Sequence, residues 1–423
     1  VSAPAGWGAR TAAGIAWSTL AFVGTKASTL VTTIVLARIL VPEDFGLVAA
    51  VVAYVAVVEM LSDLGLRATV VYEQGAGDPS RVQSAFTANL VVAAGLTVVG
   101  IALAPLVATA FGMGDDAALF RLAALNPLLT GLGNVHDGLL LRDMEFRRRV
   151  RPQLARAVVR GVVSVALAVV GAGAASLVVG MLVGTATWSA VLWHTTGFRP
   201  SLRLGRGHVA SMAGYSSGAM ALEVVAVIGT RADALVVAQG LGAGALGLYA
   251  VAYRLPELVI ENVAWSISDV AFPALARQRH ADPTRLAAAT LALLRGSALY
   301  AAPVGTGLAV LGVPLVIVVF GERWRDAGSV LSAIAVMSIV VALSFPLGDV
   351  FKALGRQRTL VALNLVSIPL TVVFMVAALP GGIVGVAVAR AAAGALNCAV
   401  LIALVARALG IAPRALAAAL GPA

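Results

Sequence analysis

The sequence predicts an all-α integral membrane protein with twelve transmembrane helices in two six-helix lobes, related by a pseudo-two-fold axis along the membrane normal. Composition, the spacing of apolar runs and the placement of positive charge carry this expectation. Of the 423 residues, 60% are apolar and 12% charged, with a mean hydropathy of +0.96. A soluble domain carries about 25% charged and 45–50% apolar residues, so a water-soluble enzyme is excluded. The 44 glycines suit close helix–helix approach in lipid. A single cysteine, Cys398, excludes an intramolecular disulfide and a cysteine-based metal cluster.

A helix needs about 20 mostly apolar residues to cross a bilayer. In the first half, runs of that kind fall at 13–37, 45–66, 84–111, 117–141, 154–171 and 174–194. In the second half they fall at 211–238, 245–271, 286–320, 328–351, 359–379 and 382–406. The first apolar stretch, Thr11 to Ala37, is too long for the core of a signal peptide and carries Lys26, so it reads as a retained span. The run 286–320 is interrupted by Pro303 and Pro314 and reads as one kinked helix plus a short re-entrant piece.

The net charge of +10 is almost entirely arginine, Lys26 and Lys352 being the two lysines. With twelve spans, Arg38, Arg323 and Arg325 fall on one side of the membrane and twenty basic residues on the other, which also holds both termini. Cytoplasmic loops are the ones enriched in Lys and Arg, so both termini are expected in the cytoplasm. The cluster Arg142–Arg160 reads as an anchor on anionic headgroups rather than a nucleic-acid surface, because no aromatic platform accompanies it. No nucleic-acid partner is expected.

A shift of 201 positions lays Leu36-Ala-Arg-Ile-Leu40 over Val237-Ala-Gln-Gly-Leu241, and Phe45-Gly-Leu47 over Leu246-Gly-Leu248. The match falls at the joint between the first and second spans of each half. Six spans per half, an even number, make the halves parallel, a ground plan of secondary transporters. The expected organisation is a lobe over 1–198, a cytoplasmic linker over 199–210 and a second lobe over 211–423.

Charge near the bilayer centre is costly, about 2.5–3.5 kcal/mol or more, and marks wet cavities or ion pairs. Lys26 lies midway along the first run and shares a helical stripe with Ser18, Phe22, Thr25, Thr29 and Thr33. It reads either as a lumen-facing cation or as a partner of Glu59 or Asp63 on the second run. The eighth run carries a polar stripe of Arg254, Glu257, Glu261, Trp265 and Asp269, with Pro256 expected to bend it. Arg254 and Glu257 are also spaced to pair with each other. The seventh run adds Ser216, Glu223, Thr230 and Arg231. The candidate cavity residues are thus Lys26, Thr29, Arg231, Arg254, Arg295 and Arg390. The acids available for coupling to protons or sodium are Glu59, Asp63, Glu223, Glu257, Glu261 and Asp269. Arg121 and Arg160, near helix ends, are expected to snorkel to water. Asp349 and Cys398 read as structural. No catalytic residue, metal site or cofactor is expected: the four histidines lack zinc spacing, and there is no phosphate-binding glycine loop.

Leu36-Ala-Arg-Ile-Leu-Val-Pro-Glu-Asp-Phe-Gly-Leu47, followed by Leu61-Ser-Asp-Leu-Gly-Leu66, resembles the polysaccharide (Wzx-type) flippases of the multidrug/oligosaccharidyl-lipid/polysaccharide exporter superfamily. The resemblance implies two six-helix lobes in a V around a hydrated cavity. It also implies alternating access that carries undecaprenyl-pyrophosphate-linked oligosaccharide across a bacterial inner membrane, with polysaccharide polymerase or co-polymerase proteins as partners. A multidrug cation antiporter of the same superfamily is the alternative. A polymerase or ligase is excluded on different grounds, since no external connection exceeds about ten residues and such an enzyme needs a loop to hold its site.

Overall fold

The computed structural model describes residues 7–62, 79–143, 145–201, 206–278 and 283–421, and these are helical with short turns and no strand. Among the described residues, nine helical segments are long and apolar enough to cross a membrane. A helix satisfies its own backbone hydrogen bonds, which lipid cannot do for it. The chain is therefore an all-helical, multi-pass membrane protein.

The count of twelve is not reached among these residues: the second and fourth runs supply no segment of that kind, and the seventh and eighth share one. The expected fourth span is two helices, Ala117–Ala123 and Asn126–Arg142. The eighth run and the end of the seventh fall in one apolar segment, Arg231–Arg277, and the side chains of most of the seventh lie outside the described residues. The stretch 286–320 is two helices, Pro283–Val310 and Gly312–Phe320, parted at Leu311. Pro303 lies inside the first of these, and Pro314 falls in the opening turn of the second, where its missing N–H costs little.

The chain folds as two compact units, Val1–Arg231 and Ala232–Ala423. In the first unit the helices are α1 (Trp7–Ile39), α2 (Pro42–Ser62), α3 (Pro79–Ala110), α4 (Ala117–Ala123), α5 (Asn126–Arg142), α6 (Phe146–Val169) and α7 (Ala174–Thr196). The turn that carries the family resemblance has a local cause. Pro42 opens α2 and Glu43 and Asp44 occupy its first turn, where acids complement the helix dipole. Val41 donates its backbone N–H to Asp44 Oδ2 at 3.2 Å, half of a capping box. Leu36 of α1 and Leu40, just past its end, then pack with Ala168 and Leu177 of α6 and α7.

Helices α6 and α7 meet at Gly180 and Gly184, a small-xxx-small pair. A Cβ on Gly184 would lie 2.8 Å from Cβ of Arg160 and 2.9 Å from the carbonyl of Arg156. A Cβ on Gly180 would lie 2.9 Å from the Arg160 carbonyl. Both glycines face backbone that cannot swing aside. Gly184→Val is accordingly expected to destabilise the first unit by about 1–3 kcal/mol, the usual cost of overpacking. A thermal melt in detergent checks this: a midpoint equal to that of the parent would refute the close approach.

In the second unit the helices are α8 (Arg206–Pro256, from Ala232 onward), α9 (Asn262–Gln278), α10 (Pro283–Val310), α11 (Gly312–Phe320), α12 (Ala327–Ala353), α13 (Gln357–Ala377), α14 (Gly382–Leu409) and α15 (Pro413–Leu420). Helix α12 is central, packed against α9, α10 and α14. Its Leu347, Val350 and Phe351 share a core with Leu275, Leu294, Leu401 and the buried Cys398. Asp349 is buried as well, receiving hydrogen bonds from Ser268 and, at 3.2 Å, from Lys352. Helix α8 is broken at Gly242, whose φ of +87° only glycine adopts without strain. Under the 201-residue shift Gly242 coincides with Val41, so both halves break at the same joint.

Between α8 and α9 lies a π-helical turn, Glu257–Glu261. Asn262 donates to the Glu257 carbonyl at 2.7 Å and Tyr300 donates to the Val259 carbonyl, so the widened turn has side-chain partners. The extra residue of such a turn rotates everything after it by about 100°. The expected continuous stripe from Arg254 to Asp269 is corrected here: Glu261 points into the unit, while Arg254, Trp265 and Asp269 are exposed.

Candidate functional site

The first unit holds an open-sided cavity of about 710 Å³. Helix α1 supplies Phe22, Thr25, Lys26 and Thr29, one turn after another on one face. Helix α2 supplies Glu59, α5 supplies Thr130, Asn134 and Asp137, and α7 supplies Trp188. Helix α6 contributes most, with Arg149, Gln153, Arg156 and Arg160 along one stripe. Four cations and two carboxylates thus face one space.

Each carboxylate has a defined setting. Arg149 grips Asp137 side-on, Nε to Oδ1 at 2.6 Å and Nη2 to Oδ2 at 2.9 Å, and the Asp137 side chain is 3% exposed. Glu59 Oε1 accepts hydrogen bonds from Asn126 and, at 3.2 Å, from Thr130, and it is electrostatically coupled to Arg156. The Arg156 guanidinium lies 5.7 Å from the Trp188 ring centroid. Trp188 in turn is seated against Gly133, where a Cβ would stand 2.5 Å from Cζ3 of the indole. Lys26 Nζ sits 5.7 Å from the Phe22 ring. Thr29 donates to the Thr25 carbonyl at 2.9 Å, which keeps its hydroxyl oxygen available as an acceptor.

Of the residues singled out from the sequence, Lys26, Thr29 and Glu59 line this cavity. Asp63 and the Glu223 side chain lie outside the described residues. Arg231 and Arg295 are exposed, and Arg254 pairs with Glu257 at 3.4 Å near the surface of its unit. Arg390 lies instead in a buried network of the second unit, ion-paired with Asp233 and donating to Met337 Sδ at 3.1 Å. In that network Tyr249 donates to Asp233 at 3.3 Å. Tyr253 and Ser338 donate to Glu261 at 2.9 and 2.8 Å.

Two expectations are corrected. Arg160 does not simply snorkel; with Arg149 and Arg156 it lines the cavity. The arginine cluster also has aromatic companions, Trp188 beside Arg156 and Trp17 at 5.8 Å from Arg147. They escape a reading of the sequence because they come from α7 and α1, far from α6 along the chain. The spacing of Arg149, Arg156 and Arg160 at i, i+7 and i+11 is the signal that could have found the cavity face. No group of three His, Cys, Asp or Glu residues suited to a metal ion occurs among the described residues.

The fold is similar to that of two solved membrane transporters. One is the lipid II flippase MurJ in an inward closed conformation, with a TM-score of 0.75 and 16% identity over 92% of this chain and 87% of that one. The other is a multidrug resistance MATE family transporter of the MOP superfamily in an inward-facing conformation, with a TM-score of 0.73 and 14% identity over 91% and 94%. The fold is thus the all-helical, multi-pass membrane fold of these two structures. The polysaccharide biosynthesis protein family matches residues 35–329, and the chain belongs to that family. It is similar to the succinoglycan biosynthesis transport protein ExoT of Rhizobium meliloti (strain 1021), 28% identical over 82% of this chain and 70% of the relative. It is also similar to the lipopolysaccharide biosynthesis protein WzxC of Escherichia coli (strain K12), 24% identical over the same shares. The protein is therefore a multi-pass membrane protein of the polysaccharide biosynthesis protein family.

Proposed function

We propose that this chain moves undecaprenyl-pyrophosphate-linked oligosaccharide units from the cytoplasmic to the outer leaflet by alternating access, for assembly of a cell-surface polysaccharide. Twelve spans, lobes over 1–198 and 211–423 with a linker over 199–210, and cytoplasmic termini complete the reading. Polymerase or co-polymerase proteins would receive the product. The supporting observation is the cavity, where Lys26, Arg149, Arg156 and Arg160 outnumber Glu59 and Asp137. Such a site attracts a pyrophosphate and repels a cationic drug. With the cell interior negative, outward movement of two negative charges releases about 4–5 kcal/mol per 100 mV. A buried acid adds a route to ion coupling, and Glu261, held by the hydroxyls of Tyr253 and Ser338, is the most enclosed of the candidates in the second unit.

The test uses the full chain reconstituted in vesicles. A fluorescent saccharide on undecaprenyl pyrophosphate should change leaflet in a protein-dependent manner, and a cationic dye should not. Dye transport without lipid movement would replace this reading by the multidrug antiporter.

A further inference from the structure

We propose that α6 is a guanidinium ladder along which the phosphate groups of the lipid-linked substrate advance: Arg149 is the entry rung, and Arg156 and Arg160 are the inner rungs. The proposal rests on the function proposed above and assigns the path within that cavity. Rung spacing follows from helix geometry: Arg156 lies about 10.5 Å and Arg160 about 16.5 Å along the axis from Arg149. The ladder therefore covers more than half of a hydrocarbon core about 30 Å thick. It begins near the end of α6 that carries Arg147, Arg148 and Arg151, the basic end the positive-inside rule assigns to the cytoplasm.

Two residues of other helices orient the rungs. Asp137 takes Nε and one Nη2 proton of Arg149, which leaves the Nη1 amino group and the second Nη2 proton for an anion. Trp188, 7% exposed and wedged against Gly133, flanks the Arg156 guanidinium. A guanidinium backed by an aromatic ring keeps its in-plane N–H groups available for two phosphate oxygens at once. Asp137 and Trp188 are positioning residues. The backbone of the inner rungs is held by the close approach of Gly184 to Arg156 and Arg160. A pyrophosphate spans much less than the roughly 10.5 Å between Arg149 and Arg156, so the entry rung and the inner pair act in sequence, while Arg156 and Arg160, about 6 Å apart along the axis, can hold it together.

That sequence gives the experiment. Initial rates of leaflet transfer are measured in vesicles against the concentration of fluorescent undecaprenyl-pyrophosphate saccharide. Arg149→Gln and Asp137→Asn should raise the half-saturating concentration about tenfold with little change in maximal rate. Arg160→Gln should lower the maximal rate about tenfold with little change in half-saturation, and Trp188→Leu should do the same through Arg156. Trp188→Phe, which keeps an aromatic face, should restore most of the rate. Arg151→Gln, an exposed arginine outside the cavity, should leave both parameters unchanged. Where Arg156→Gln lowers the yield of folded protein, Arg156→Lys serves in its place and should show the same loss of maximal rate, because lysine cannot bind two oxygens in one plane. If wild type transports but all rung variants change the same parameter, the cavity is a single site and the ladder is refuted. Unchanged kinetics in the rung variants refute it equally. If wild type moves no lipid, the proposed function fails first.

Discussion

Arg390→Ala is expected to destabilise the second unit by about 3–5 kcal/mol, the cost of breaking a buried ion pair from one side. Arg390 and Asp233 are ion-paired with side chains 16% and 10% exposed, and only polar hydrogens could replace the lost cation. Tyr249 supplies one such donor to Asp233, but at 3.3 Å. Glu261 belongs to the same electrostatic cluster, so the substitution leaves two carboxylates around one missing charge. The double substitution Arg390→Met with Asp233→Leu should cost less than Arg390→Ala alone, because it removes both charges from a largely buried site. Thermal inactivation in detergent distinguishes the cases. Equal midpoints for Arg390→Ala and the parent would show that the pair is solvated and contributes nothing.

Lys26→Ala is expected to lower lipid transport tenfold or more while membrane insertion stays intact. A cation about 6 Å from a phosphate charge at an effective dielectric of about 20 contributes about 3 kcal/mol, nominally a hundredfold. Three arginines line the same cavity and moderate the loss. Lys26→Arg should retain most of the activity, since charge at this position matters more than shape. The readouts are transfer in vesicles and surface-polysaccharide output in a complemented deletion strain. Unchanged output with Lys26→Ala would remove Lys26 from the transport path.

The parts of this structure legible from sequence are those decided by local physics. Apolar runs became helices because lipid offers the backbone no other hydrogen-bonding partner. The Pro-Glu-Asp turn became a capped helix start because Asp44 reaches a backbone N–H three residues away. The midpoint of a long apolar run made Lys26 conspicuous, and it does line the cavity. The misread features all depend on rotation about a helix axis or on a remote partner. Counting arginines by connection placed Arg149 and Arg156 at the headgroups, and Arg160 was expected to snorkel to water, although one face of α6 turns all three inward. One extra residue in the Glu257–Glu261 turn separated Glu261 from the stripe that helical spacing had drawn through it.

Composition and charge asymmetry by themselves determined that this chain lives in a bilayer and is built from helices, since the solvent imposes both on any apolar chain. Tertiary packing alone decided which charges share a space. Asp137 and Trp188 meet the arginines of α6 only because small residues such as Gly133 and Gly184 let three helices approach closely, and sequence distance carries no record of that approach.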